Sequence, residues 1–217
     1  MDVRIPLFPL RTVLFPGQVL PLHIFEPRYR EMIAVCLREG TPFGVALIKE
    51  GAEVGAPAEP VAVGTTARIA QVDTLPDGRM NILAMGESRF RIHTVHTVRP
   101  YLEATATLWR WPDEGSDEVR ALAAGVRVLL QQYLLEMTES DSQAVSVLPE
   151  RPLLLATAAG AVPGLPILER QRLLEMPTLK EMLQREAALL EQERALLRVL
   201  RASSESRPDS ESPFSPN

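Results

Sequence analysis

Apolar positions follow two periods along the chain. From residue 1 to about 111 they fall in short runs of Val, Ile, Leu and Phe, separated by "FPGQ", "KEGAEVGAPAEP" and "LPDGR", which predicts strands joined by turns. One interruption has helical spacing. Tyr29, Met32, Ile33, Cys36 and Leu37 recur at i, i+3, i+4, i+7 and i+8, after Pro27, which suits a first helical position, and before Gly40, which stops the run. Within the strand region Pro76-Asp77-Gly78 predicts a hairpin turn, Gly86-Glu87-Ser88 a second turn, and "RPYLEATATLW" a further strand. Five or six strands and one helix are expected to curl into a closed or nearly closed sheet, which leaves few open edges.

Beyond "WPDEGSDE" the period is helical. Ser116 is placed to cap a helix whose inner face carries Val119, Leu122, Val126, Leu129, Leu130, Tyr133 and Met137. "RPLLLATAAGA" and "PILERQRLLEM" predict two shorter helices, and Thr178 to about Ala202 predicts a long one with a leucine stripe. The expected organisation is a β-rich region at 1–111, helices at 116–202 and a Ser/Pro-rich, disordered tail at 203–217.

Composition narrows the setting. With 46% hydrophobic residues in 217, the chain can bury a substantial core without staples. Its one cysteine, Cys36, excludes an internal disulfide, and a place on the apolar stripe predicts an inert buried thiol. The N-terminus has no signal-peptide pattern and no apolar run approaches the ~20 residues of a membrane span, so a cytoplasmic protein is expected. A net charge of −5 offers no general attraction to phosphate backbones.

Residue by residue, the chemistry points away from catalysis. Neither lysine, Lys49 or Lys180, stands in a Gly-rich phosphate loop, and Lys180 begins an amphipathic helix beside Glu181, where a solvated ammonium is expected. His93 and His96 are three apart in a strand-forming run, so they are expected on opposite faces and unable to share an ion. Ser88 does not stand between two glycines, as the serine of a nucleophile elbow does. No catalytic residue, metal ligand or cofactor is expected. Arg89, Arg91 and Arg99 with Phe90 and Tyr101 could form an RNA platform, although alternating solvent and core positions of an ordinary strand account for them as well. Leu14 and Phe15, just before Pro16-Gly17, are a candidate exposed apolar patch for protein contact, the other reading being that both fold back onto the barrel end. Arg28 and Arg30 stand in a first helical turn, where positive charge is disfavoured. They therefore call for local compensation by Glu26, Glu31 or strand-end carbonyls, which makes Glu26, Arg28 and Arg30 a candidate structural junction.

The segments "IPLFPLRTVLFPGQVLPLHIFEPRYREMI", "GTTARIAQVDTLPDGRMNILAMGESRFRI" and "PYLEATA", followed by "LPILERQRLLEMPTLKEMLQREAALLEQE", resemble the N-terminal substrate-recognition domain of Lon proteases. The "FEPRY" form is similar to stand-alone Lon-domain proteins and to the Lon-like domain of cereblon. The resemblance implies an α+β fold, a PUA-like pseudo-barrel with one packed helix followed by a C-terminal helical bundle. It also implies a non-enzymatic role in recognising unfolded or apolar polypeptide segments or a partner protein. The family's ATPase and Ser-Lys protease residues have no matching positions in these residues. An RNA-binding PUA-like module is the alternative, nucleic acid being disfavoured by the charge; no membrane partner is expected, and an oligomer is open.

Overall fold

The computed structural model describes residues 2–51, 58–138 and 148–205. Six strands, β1 (Asp2–Leu10), β2 (Val19–Ile24), β3 (Phe43–Glu50), β4 (Glu59–Thr74), β5 (Met80–His96) and β6 (Leu102–Leu108), form one sheet. Helix α1 (Pro27–Glu39) follows β2, and α2 (Asp117–Thr138), α3 (Pro152–Gly160), α4 (Ile167–Glu175) and α5 (Leu179–Glu205) follow the sheet. The fold is mixed α+β. The predicted tail at 203–217 begins inside α5, and residues 206–217 lie outside the described residues.

Strand pairing closes a ring. β1 runs parallel to β3 and antiparallel to β6, β3 pairs with β4, β4 with β5, and β5 with β6, all but the first antiparallel. β5 is long enough to serve two partners in turn. Its first half, Met80 to Met85, pairs with β2, and its second half, Phe90 to His96, pairs with β6. β2 is therefore an appendage to the ring.

The expected turn at Gly86-Glu87-Ser88 is not formed, because these residues lie inside β5. Gly86 is a glycine for a different reason. A β-carbon there would collide with the Phe15 carbonyl oxygen, since the "FPG" turn closes onto this point through Gly17 N–H to Gly86 O and Gly86 N–H to Gln18 O. The hairpin at Pro76-Asp77-Gly78 is formed, with Gly78 at φ +79° and its N–H on Leu75 O.

The hydrophobic interior has two main parts. One lies between α1 and the sheet, where Tyr29, Met32, Ile33 and Cys36 meet Phe8, Phe43, Ile82 and Ala84. Cys36 is buried there, and burial pushes its thiol up to about 11, which keeps it protonated. The other joins the sheet to the later helices: Val13, Phe15, Leu47 and Val63 pack with Val126, Leu130, Leu155, Leu173, Leu183 and Leu190. Fully burying each such side chain contributes roughly 1.5–3 kcal/mol. The stripe of α5 fades outward, with Leu196 and Leu200 more than half exposed.

Candidate functional site

Leu14 and Phe15 do not form the candidate exposed patch; both fold back, the other reading of their place before the turn. Their side chains are 2% and 0% exposed. A Pro-Gly turn usually projects into water, but here it folds back. Phe15 joins the core shared with α3 and α5, Leu14 joins the core under α1, and Thr65 Oγ1 donates to Leu14 O at 2.6 Å. Two neighbouring residues thus anchor two separate cores. A β-carbon on Gly160 of α3 would stand 3.0 Å from the Phe15 ring, so the helix backbone rests directly on it.

The "FEPRY" segment joins β2 to α1. Pro27 occupies the first turn of α1, which has no acidic residue, and the capping position is held by Glu26 without a side-chain hydrogen bond. The Glu26 carboxylate instead takes Arg28 Nε at 3.1 Å and Nη2 at 3.0 Å, while the Arg28 guanidinium lies over the Tyr29 ring, 4.5 Å from its centre. Arg30 reaches a different element: its guanidinium lies against the hairpin tip, where a β-carbon on Gly78 would strike Nη2.

A buried cation occupies the seam between sheet and helices. Arg89, on β5, is 1% exposed, and its Nη1 donates to the carbonyls of Leu174 and Met176 at 2.7 and 2.8 Å, at the end of α4. Trp109 and Trp111 flank the guanidinium at 4.1 and 3.4 Å from their ring centres, and Arg91 lies over Trp109 at 4.3 Å. Burial first, and then Arg91, lower its pKa to about 9, which leaves it charged at neutral pH. Alternation along the strand predicts a solvent-facing Arg89; Trp109 and Trp111, two apart just after β6, are the sequence signal for a pair of rings with a cation between them. Phe90 and Tyr101, the proposed base platforms, are both buried.

His93 and His96 do not lie on opposite faces. The β5–β6 register slips between Ile92 and Thr94, and this bulge brings both rings to the same face, His93 Nε2 on Thr107 Oγ1 at 2.7 Å and His96 Nε2 on Thr105 Oγ1 at 2.8 Å. Each imidazole meets its own hydroxyl. Lys180 pairs with Glu118 at 2.6 Å on the surface, and the backbone amides of Leu179 and Lys180 are capped by the Asp113 carboxylate at 2.8 and 2.9 Å.

The concave surface is divided. A cavity of about 490 Å³ opens between β1, the end of α1 and β6, lined by Val3, Ile5, Val35, Tyr101 and the Arg4–Glu103 pair. Two more lie on either side of β2, about 490 Å³ on the outer face and about 180 Å³ on the inner. Around them Val19 is 56% and Phe25 47% exposed, and Val72 and Leu83 are also open to solvent.

Residues 4–192 match the substrate-binding domain of the ATP-dependent protease La (Lon). Lon protease 2 of Syntrophobacter fumaroxidans is 32% identical over 184 residues, covering 83% of this chain and 23% of that protein. The Lon protease of Rhizobium meliloti is 30% identical over 200 residues, covering 89% and 25%. The chain spans about a quarter of the length of these relatives. Among solved structures, the Lon N-terminal domain protein from Xanthomonas campestris superposes with a TM-score of 0.63 at 26% identity, over 86% of this chain and 98% of that one. The N-terminal domain of Mycobacterium avium complex Lon protease, at 22% identity, shares the fold with a TM-score of 0.70 over 87% and 98%. The chain belongs to the Lon substrate-binding domain family.

Proposed function

We propose that this chain is a non-catalytic recognition module that holds exposed apolar segments of other polypeptides and passes them to a protease or chaperone. Its strand ring with one packed helix is read as a PUA-like pseudo-barrel, with the later helices as a bundle bracing one side. The family match carries the proposal, because it runs through both the strands and the helices, from 4 to 192. The half-exposed Phe25 in the inner cavity, Leu83 in the outer one and Val19 on the same strand support it on physical grounds.

Fluorescence anisotropy with a labelled, permanently unfolded polypeptide tests it. Expected are weak binding without nucleotide, a shallow dependence on salt, and an intact labelled chain after prolonged incubation. Cleavage of the bound chain by the pure protein would overturn the non-catalytic part. Tighter binding of single-stranded RNA with a steep log–log salt slope would replace polypeptide by nucleic acid as the ligand.

A further inference from the structure

Among the described residues, β2 pairs with β5 alone, and its other edge carries no strand. The pairing fixes which backbone groups stand on that edge. Gly86 N–H donates to Gln18 O, and alternation then turns the backbone groups of Leu20, Leu22 and Ile24 toward β5 and those of Val19, Pro21 and His23 outward. Pro21, which lacks an N–H, falls on the open side, where a proline is tolerated. The edge thus offers two N–H groups, from Val19 and His23, and three carbonyls. No charged side chain of β2 guards it, since the strand reads "VLPLHI".

We propose that an extended polypeptide segment adds to the β2 edge as a further antiparallel strand; this rests on polypeptide recognition being the function. The complementary chemistry for a row of unpaired amides and carbonyls is another extended backbone. Side chains of an added strand alternate between the two faces, and a cavity lies on each face of β2. The inner one is walled by Phe8, Leu10, Leu22, Phe25 and Tyr29, so residues opposite Leu20 and Leu22 are apolar. The outer one presents Gln71, Asp73 and Asn81 beside Pro21 and Leu83, so residues opposite Val19 and His23 carry a polar end on an apolar stem, and Asp73 with the net charge of −5 favours a basic end. A second copy of this chain fits poorly: two-fold antiparallel pairing centred on Pro21 would set one proline against the other and leave two amide positions empty.

Geometry makes the test sharp. The residues of an added strand that bond to Val19, Pro21 and His23 are those with outward side chains, whereas the inward residues turn their amides to solvent. The probe is a labelled eight-residue peptide alternating Val and Lys, with one analogue N-methylated at every lysine and another at every valine. Methylation at the lysines is expected to weaken binding at least about tenfold, methylation at the valines less than about threefold, and the Val19 and His23 amides should exchange more slowly in the complex. If the two analogues bind alike, or if Val19 and His23 exchange unchanged while peptide is bound, strand addition at β2 is wrong and polypeptide recognition stands elsewhere on the surface. Slow, concentration-dependent exchange of those amides without peptide would assign the edge to a second copy and overturn the inference. If neither the peptide nor a long unfolded polypeptide binds, polypeptide recognition falls as well.

Discussion

The Arg89 guanidinium lies 3.4 Å from the centre of the Trp111 ring, so a strand of the ring and the connection leading into α2 are stacked on one another through a buried charge. The same side chain binds the last carbonyls of α4. Arg89→Ala strands Leu174 O and Met176 O and is expected to cost about 3 kcal/mol or more. Arg89→Lys should recover little, because an ammonium lacks the planar fork and the stacking face. Urea midpoints at constant slope measure both; a loss under about 1 kcal/mol for the alanine variant would mean that the seam holds without the cation.

Glu186, on α5, is buried, and neither carboxylate oxygen has a hydrogen-bond partner among the described residues. Burial raises its pKa well above the usual 4.5, so the folded state binds a proton that the unfolded state releases. Stability should therefore be fully retained below about pH 4.5 as far as this group is concerned. It should fall as pH rises from there toward the folded-state value. Glu186→Leu is expected to raise stability by about 1–3 kcal/mol at pH 8 and to flatten this pH dependence. Chemical denaturation at pH 5 and pH 8 decides it; equal pH slopes for wild type and variant would place the ionised carboxylate in contact with water.

Leu14→Ser and Phe15→Ser should unfold the protein rather than silence a contact surface. Removing a buried Phe typically costs 3–5 kcal/mol, and Phe15 supports α3 as well as the sheet. The milder Phe15→Leu should fold with a lowered melting temperature. A double serine variant with native circular dichroism and melting would contradict the burial of both residues.

At the hairpin tip, Gly78→Ala carries two penalties, a left-handed backbone of about 1–2 kcal/mol and a collision with Arg30. Arg30→Ala relieves only the collision. A double-mutant cycle should show the glycine substitution costing at least about 0.5 kcal/mol less in the Arg30→Ala background. For Arg28→Ala, which loses the Glu26 pair and the Tyr29 contact, a loss of about 1 kcal/mol is expected. Additive effects at Gly78 and Arg30 would show that the guanidinium simply moves aside.

Local patterns were readable in the sequence wherever one segment decides its own shape. Pro27 and Gly40 bracket α1, Ser116 Oγ accepts from the Val119 amide at the start of α2, and the Pro-Asp-Gly turn forms. What stayed illegible depends on distant partners. Gly86 looks like a turn until the Phe15 carbonyl is placed against it, and Arg89 looks solvent-facing until two tryptophans and a helix end converge on it. The same holds for His93 and His96, whose shared face comes from one bulged residue that no two-residue alternation encodes. The parallel pairing of β1 with β3 has no local signature at all. Nor has the free edge of β2, which exists only because β5 divides its length between two neighbours.

Ring closure also sets a timetable for synthesis. β1 pairs with β6 through Asp2–Thr107 to Leu7–Leu102, so β1 must wait about a hundred positions for its partner. Phe15, Leu47 and Val63 wait longer, because Leu173, Leu183 and Leu190 cover them from far down the chain. A nascent chain stalled at the end of β6 would display these side chains to solvent, and such long-range closure is intrinsically slow. Until Leu173, Leu183 and Leu190 are made, the chain thus presents the kind of apolar segment that the proposed function would have it hold in others.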